Sequence, residues 1–226
     1  MGITMHALCA LIPSYNEAAT IGGIVRRLGK RGLDVYVVDD GSDDDTAGIA
    51  GKEGAVVIRN TRNLGKGASL REGFKRVLEG DYRMVLVMDG DDQHDINDIA
   101  RLIKRIRETD AGMVIGNRMH DTSSMPLIRI AVNRFMSYVI SVASGQKVPD
   151  TQCGFRLIRR DLLEAVTLES SKYEIESELI IKSAKKGFKI ESAPIKTVYN
   201  NEKSGINPII DTFRFIAFMA KIVFKR

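Results

Sequence analysis

Val85-Leu86-Val87-Met88-Asp89-Gly90-Asp91-Asp92-Gln93-His94 is the stretch on which the fold turns. Four apolar residues run directly into a cluster of acids. The pattern is that of a buried strand ending where carboxylates emerge from a sheet, the edge at which open α/β sheets bind ligands. Asp89 and Asp91 stand two apart, so a turn at Gly90 lets both side chains converge on one hard cation. Oxygen donors of this kind suit magnesium or manganese, ions that commonly bridge protein carboxylates to a diphosphate. A D-x-D is short, and by itself it also fits a solvated loop that merely ends a strand.

Working outward, the first half alternates strands and helices. Strands are predicted at Ala7–Ile12, Val35–Val38, Ala55–Ile58, Tyr82–Met88 and Met113–Ile115. Helices are predicted at Glu17–Lys30, Thr46–Lys52, Lys66–Leu78 and Ile96–Arg107, the first from Ile21, Ile24, Val25 and Leu28 at helical spacing. This order implies an α/β fold with a mostly parallel sheet covered by helices on both faces. The second half is more mixed. It reads as a long helix over Pro126–Ser144, a strand at Phe155–Ile158, helices at Asp161–Leu168 and Glu174–Lys186, and an extended segment at Lys189–Val198 broken at Pro194. No repeat, low-complexity tract or linker divides the chain.

The bulk properties agree with one sizeable domain: 226 residues, 44% hydrophobic and 28% charged. Two cysteines, Cys9 and Cys153, form neither a disulfide framework nor a metal cluster, and a reducing compartment is expected. The net charge of +5 is unevenly spread. Residues 1–113 hold 16 Lys and Arg against 18 Asp and Glu, leaving 18 against 11 in residues 114–226. The basic half suits an anionic membrane or a phosphorylated substrate. No basic stripe interleaved with aromatics points to nucleic acid. No signal peptide is visible, and no run reaches the roughly 18 consecutive apolar residues of a membrane span. Residues 206–226 read as an amphipathic helix, apolar nearly all round with a basic edge, suited to a membrane interface.

Two further strand ends carry polar motifs. Pro13-Ser14-Tyr15-Asn16-Glu17 follows the first strand; Pro13, which lacks an N–H, is expected to turn the chain away from the ladder. Tyr15 can offer a ring face to a base, and Glu17 can simply complement a helix dipole. Asp39-Asp40-Gly41-Ser42 follows the second strand and fits either a nucleoside contact or turn chemistry. Asn63-Leu64-Gly65-Lys66-Gly67-Ala68 joins a strand to a helix, with Lys66 able to meet a phosphate. It matches neither the P-loop nor the dinucleotide fingerprint.

Taken in order, these motifs resemble the inverting family 2 glycosyltransferases and their GT-A type fold. Gly116-Asn117-Arg118, Asp150-Thr151-Gln152-Cys153-Gly154-Phe155-Arg156, Tyr173-Glu174-Ile175-Glu176-Ser177-Glu178 and Tyr199-Asn200-Asn201-Glu202-Lys203-Ser204 extend the resemblance over almost the whole chain. It is nearest to the subgroup that makes polyprenyl-phosphate sugars, including dolichyl-phosphate mannose and glucose synthases. The resemblance implies a catalytic domain over residues 1–205, with residues 206–226 as the interfacial helix. Pro13, Tyr15, Glu17, Asp39, Asp40, Lys66, Asp89 and Gly90 would bind the nucleotide-sugar. Asp89, Asp91 and Gln93 would hold a divalent cation, Mg2+ or Mn2+, and Asp91 and Asp150 would be the catalytic carboxylates. Arg118, Arg134, Arg156 and Lys203 would grip an acceptor phosphate, a task suited to the guanidinium fork.

The implied activity moves a hexose from a UDP- or GDP-linked donor to a polyprenyl phosphate. The enzyme would be peripheral at the cytoplasmic face of a membrane and would act with or without a separate membrane protein. Were the acceptor a saccharide hydroxyl, Asp150 would be the base. A dehalogenase-like phosphatase fits less well, since Gln93 stands where that family carries Thr or Val. A non-catalytic nucleotide-sugar-binding module is the alternative from another class.

Overall fold

The computed structural model describes residues 7–123 and 125–196, together with Phe215 and Met219. β1 (Leu8–Ser14), β2 (Asp34–Asp39), β3 (Val56–Arg59), β4 (Met84–Val87), β5 (Met113–Asn117), β6 (Arg156–Arg159) and β7 (Ile190–Pro194) form one sheet in the order β3-β2-β1-β4-β6-β5-β7. Every residue of β1 is buried, and so is every residue of β4. Such uninterrupted apolar runs belong to strands covered on both faces, whereas β3 lies at an edge and leaves Val56 exposed. The helices α1 (Ile21–Gly29), α2 (Thr46–Lys52), α3 (Lys66–Leu78), α4 (Ile99–Thr109), α5 (Leu127–Ser144), α6 (Arg160–Ala165) and α7 (Glu174–Lys185) complete the layers. α1 shows how a helix docks: Ile21, Ile24, Val25 and Leu28 recur at helical spacing and are all buried.

Four strand pairings are parallel, and the two made by β6 are antiparallel. This wedge of opposite direction shapes the site. β1, β2, β4, β5 and β7 end at one edge of the sheet, and β6 begins there. The 150–155 segment therefore reaches the same edge from the opposite direction.

Pro13 does not turn the chain away. It remains in β1, in register with Val38. Leu11 presents its carbonyl to Met88, so Pro13, two residues on, faces the same side. β4 pairs with β1 only as far as Leu11, so the missing N–H falls where no partner strand remains. α1 starts at Ile21 rather than Glu17, because the 16–18 amides bond to the loop after β2 instead of beginning a helix. Of residues 206–226, Phe215 is helical and buried in the hydrophobic core, and Met219 packs against that core. The other residues of that expected interfacial helix lie outside the described residues.

Candidate active site

The loops after β1 and β2 are stitched together. The Asn16 amide donates to Ser42 Oγ (2.9 Å), the Glu17 amide to Thr46 Oγ1 (2.8 Å) and the Asp43 amide to Asn16 Oδ1 (2.9 Å). Tyr15 stays exposed at the rim, and its hydroxyl stands 3.5 Å from Asp43. Asp39 is fully buried; its Oδ1 accepts from the Ser42 amide, and Arg59 lies 3.0 Å from its Oδ2. Asp40 accepts from Asn60 Nδ2 (2.8 Å), the Leu64 amide (2.9 Å) and the Gly65 amide (2.7 Å). Asp40 therefore clamps the β3–α3 loop.

The D-x-D loop is fixed from several sides. Thr20 donates to the Gly90 carbonyl at 2.6 Å, and Arg27 pairs with Asp92. Asp89 faces Lys66, with Nζ at 2.6 Å, and His94 Nε2 stands 3.4 Å from its other oxygen. Lys66 reaches on to Glu176 at 2.7 Å, and Glu176 lies 3.6 Å from Arg156. Charges thus alternate along Asp89, Lys66, Glu176 and Arg156. Burial alone would raise the Asp89 carboxyl, but Lys66 and His94 outweigh it and hold it well below the usual carboxylate range. Burial would likewise discharge Lys66, yet Asp89 and Glu176 keep its ammonium charged. Asp91 differs: burial, and then the Asp89 charge, push its carboxyl upward.

Gly154 is what lets Asp89 sit there. A Cβ at Gly154 would stand 2.3 Å from Asp89 Oδ2. The glycine of the 150–156 motif thus makes room for the first carboxylate of the D-x-D.

Asp150 is fully buried and accepts five hydrogen bonds. They come from the Arg118 amide (3.0 Å), Nε (2.8 Å) and Nη2 (3.0 Å), from Asn133 Nδ2 (2.8 Å) and from the Gln152 amide (3.3 Å). Burial opposes its ionisation, but Arg118 and Asn133 prevail and hold the carboxyl below its ordinary value. A saturated carboxylate clamped to a guanidinium is a poor proton acceptor, which disfavours the base role that a saccharide hydroxyl acceptor would require of it. Asp150 instead anchors Arg118 and α5 at the edge.

The expected acceptor-phosphate residues separate. Arg118 keeps partial exposure and points its fork at Asp150. Arg156 is 2% exposed, and its three nitrogens bond to the carbonyls of Cys153 (2.8 Å), Glu176 (2.9 Å) and Thr151 (2.9 Å). It buttresses the 150–156 loop, with its guanidinium turned to backbone carbonyls. Arg134 is exposed on α5, away from these contacts. Lys203 lies outside the described residues. Lys66, expected at a phosphate, is bound between two carboxylates.

No group of three or more His, Cys, Asp or Glu side chains among the described residues is arranged to hold a metal ion. Asp89 and Asp91 nevertheless fit a hard divalent cation, which commonly takes only one or two protein carboxylates alongside substrate phosphates. Asp89 already faces a cationic nitrogen, and the Gln93 amide holds Asp91 Oδ1 at 3.1 Å.

Three contributors escaped the sequence reading. Glu176 lay inside a recognised motif, with no spacing to pair it with Lys66. His94 stacks on Phe155 with centroids 5.0 Å apart, a contact between segments 61 positions distant. Asn133 lay on the long helix predicted over Pro126–Ser144, where no motif singled it out.

Residues 9–167 match the family model described as glycosyl transferase family 2. The chain is 30% identical over 213 residues to a UDP-N-acetylglucosamine–dolichyl-phosphate N-acetylglucosaminyltransferase of Methanococcus voltae, covering 84% of each chain. It is also 30% identical over 201 residues to an undecaprenyl-phosphate mannosyltransferase of Micrococcus luteus, covering 83% of this chain and 82% of that one. Among solved structures, glucosyl-3-phosphoglycerate synthase from Mycobacterium tuberculosis, in a complex with Mn2+, UDP and glucosyl-3-phosphoglycerate, superposes with a TM-score of 0.70 at 15% identity. That superposition covers 99% of this chain and 84% of the other, and it shows a shared fold. With the strand-end motifs gathered at one edge of a GT-A type sheet, the chain belongs to glycosyl transferase family 2.

Proposed function

We propose that this chain transfers a hexose from a nucleotide-diphospho-sugar to a polyprenyl phosphate, with inversion at the anomeric carbon. The observation that carries the acceptor class is the saturation of Asp150. A hydroxyl acceptor needs a base, and the carboxylate suited to that task is held by five donors. A phosphate monoester arrives already ionised near pH 7 and needs none. The relatives that act on dolichyl and undecaprenyl phosphates support the same class.

In this reading the β1 and β2 loops hold the nucleoside, with Tyr15 at the rim. Asp89 and Asp91 would hold a divalent cation, which supplies charge stabilisation to the departing diphosphate. Lys66 adds a positive charge beside Asp89. Arg118, held by Asp150 and partly exposed at this edge, would meet the acceptor phosphate. A phosphate oxygen forms the new bond to the anomeric carbon as the bond to the donor diphosphate breaks, and the electron pair leaves with the nucleoside diphosphate. The membrane surface, as the place where such an acceptor resides, is the expected working location.

The test is nucleoside diphosphate release from UDP- and GDP-sugars, with Mn2+ or Mg2+, with and without a polyprenyl phosphate. Release from one donor that requires the lipid phosphate is the expected result. Release that proceeds equally well with a saccharide hydroxyl acceptor would overturn the proposal.

A further inference from the structure

The segment between α6 and α7 lies across the start of α3, although the two are far apart in sequence. The Ala68 amide donates to the Ser171 carbonyl at 3.1 Å, and Arg71 Nη1 donates to the Glu169 carbonyl at 3.0 Å. From the other side Glu178, 2% exposed, accepts from the Glu169 amide at 3.0 Å and from the Ser170 amide at 2.8 Å. Lys182 pairs with Glu178 at 2.6 Å. The 169–172 segment is thus fastened to α3 and α7 at once. Groups held this way lose little freedom when a ligand arrives.

Two glycines form the floor beneath it. A Cβ at Gly67 would stand 2.6 Å from the Lys172 carbonyl oxygen. One at Gly65 would stand 2.4 Å from Lys172 Cδ and 2.8 Å from its Nζ. Gly65 has φ +100°, a conformation that favours glycine. The Lys172 side chain therefore lies along the Gly65 backbone. The Leu64 and Gly65 amides bond to Asp40, just after β2, and the next side chain, Lys66, reaches Asp89, just after β4. Lys172 Nζ thus sits over the backbone that runs from the nucleoside side of the proposed site to the D-x-D.

Lys66 already has two carboxylates, Asp89 at 2.6 Å and Glu176 at 2.7 Å. Lys172 is partly buried, and among the described residues its ammonium has no ion pair or hydrogen bond. Gly65 is the N-cap of α3, so the ammonium also lies at the positive end of that helix, where a cation is disfavoured. A partly desolvated ammonium in such a place is stabilised by an anion. We infer that Lys172 is a donor-binding residue, whose ammonium bonds to the diphosphate of the nucleotide-sugar. This rests on the proposed donor class. It gives the phosphate contact expected of Lys66 to a lysine just outside the Tyr173–Glu178 motif, and it makes the 169–172 segment part of the donor site.

Lys172→Met in the full chain is the test, by titration calorimetry with Mn2+ present. UDP and GDP are the probes, with uridine and guanosine measured by competition as phosphate-free controls. The diphosphate that binds the wild-type protein should bind Lys172→Met about tenfold or more weakly, while its nucleoside loses less than about twofold. Lys172→Arg, which keeps the charge, should recover most of the loss. Free Mn2+ affinity and Tm should stay at the wild-type values, since Lys172 pairs with neither carboxylate of the D-x-D. Equal losses for diphosphate and nucleoside would make Lys172 a support of the loop and overturn the inference. So would unchanged diphosphate binding with a raised KM for a polyprenyl phosphate, which would give the lysine to the acceptor. If the wild-type protein binds neither diphosphate, the donor reading itself fails and this inference with it; if it binds one and Lys172→Met binds it equally well, the inference alone fails.

Discussion

Asp150→Asn keeps the size and shape of the side chain and removes one charge. In the wild-type protein that carboxylate accepts five hydrogen bonds at full burial, three of them from Arg118. The asparagine would turn an NH2 toward donors on one side and leave the Arg118 guanidinium without a counter-charge. Breaking a buried pair by changing one partner costs about 3–5 kcal/mol. In a chain of this length each kcal/mol shifts Tm by about 2–4 °C, so a fall of roughly 6–20 °C is expected. Thermal unfolding monitored by circular dichroism measures it directly. Arg118→Met combined with Asp150→Asn removes the stranded cation and should be more stable than Asp150→Asn alone, with a coupling of about 1–3 kcal/mol in the double-mutant cycle. Turnover is then measured below the lowered Tm. If Asp150→Asn unfolds at the wild-type temperature yet loses turnover a hundredfold or more, Asp150 is a base and the anchoring argument is wrong.

Lys66→Met removes the cation between Asp89 and Glu176; free Mn2+ should then bind about tenfold more tightly by calorimetry, a gain of about 1.4 kcal/mol, while turnover falls. Gly154→Ala places a methyl against the Asp89 carboxylate, and Mn2+-dependent nucleotide binding should weaken sharply with little change in Tm. The carboxyls of Asp89, Asp150 and Glu178 are all held below their ordinary values, because basic neighbours and N–H donors outweigh burial. Their contribution to stability is complete above the unfolded carboxylate value of about 4 and is lost as pH falls toward the folded values, so the urea midpoint should drop between about pH 5 and pH 3. Burial pushes the thiols of Cys9 and Cys153 up to about 12, so neither should react with a thiol reagent at about pH 8 until the protein is unfolded.

Much of the donor half was legible because its signals are local. α2 and α3 occupy the expected spans, and the apolar runs before the acids are strands of the central sheet. The orientation of β6 was not legible. A four-residue strand carries no mark of direction, and only its partners make it antiparallel. Arg156 shows the matching limit at the site: an arginine in an acceptor-side motif reads as a phosphate ligand, and nothing in the local sequence says that backbone carbonyls surround it. α5 is a third case. Its periodicity is plain, but whether the Asn133 and Ser137 stripe or the Phe135 and Tyr138 stripe faces inward depends on Asp150 and Thr151, which come after the helix across a turn.

The antiparallel wedge has an evolutionary corollary. β6 stands between a donor half built by β1, β2, β3 and β4 and an acceptor half built by β5, α5 and β7. Each half meets the other mainly through this one short strand and the 150–156 loop that precedes it. A lineage can therefore rewrite the helix and loops between β5 and β6, and with them the proposed acceptor side, while the loops after β1 and β2 are inherited intact. Exchange of residues 118–150 between relatives is the natural unit of such tinkering, so that Arg118, Asn133 and Asp150 travel as a matched set.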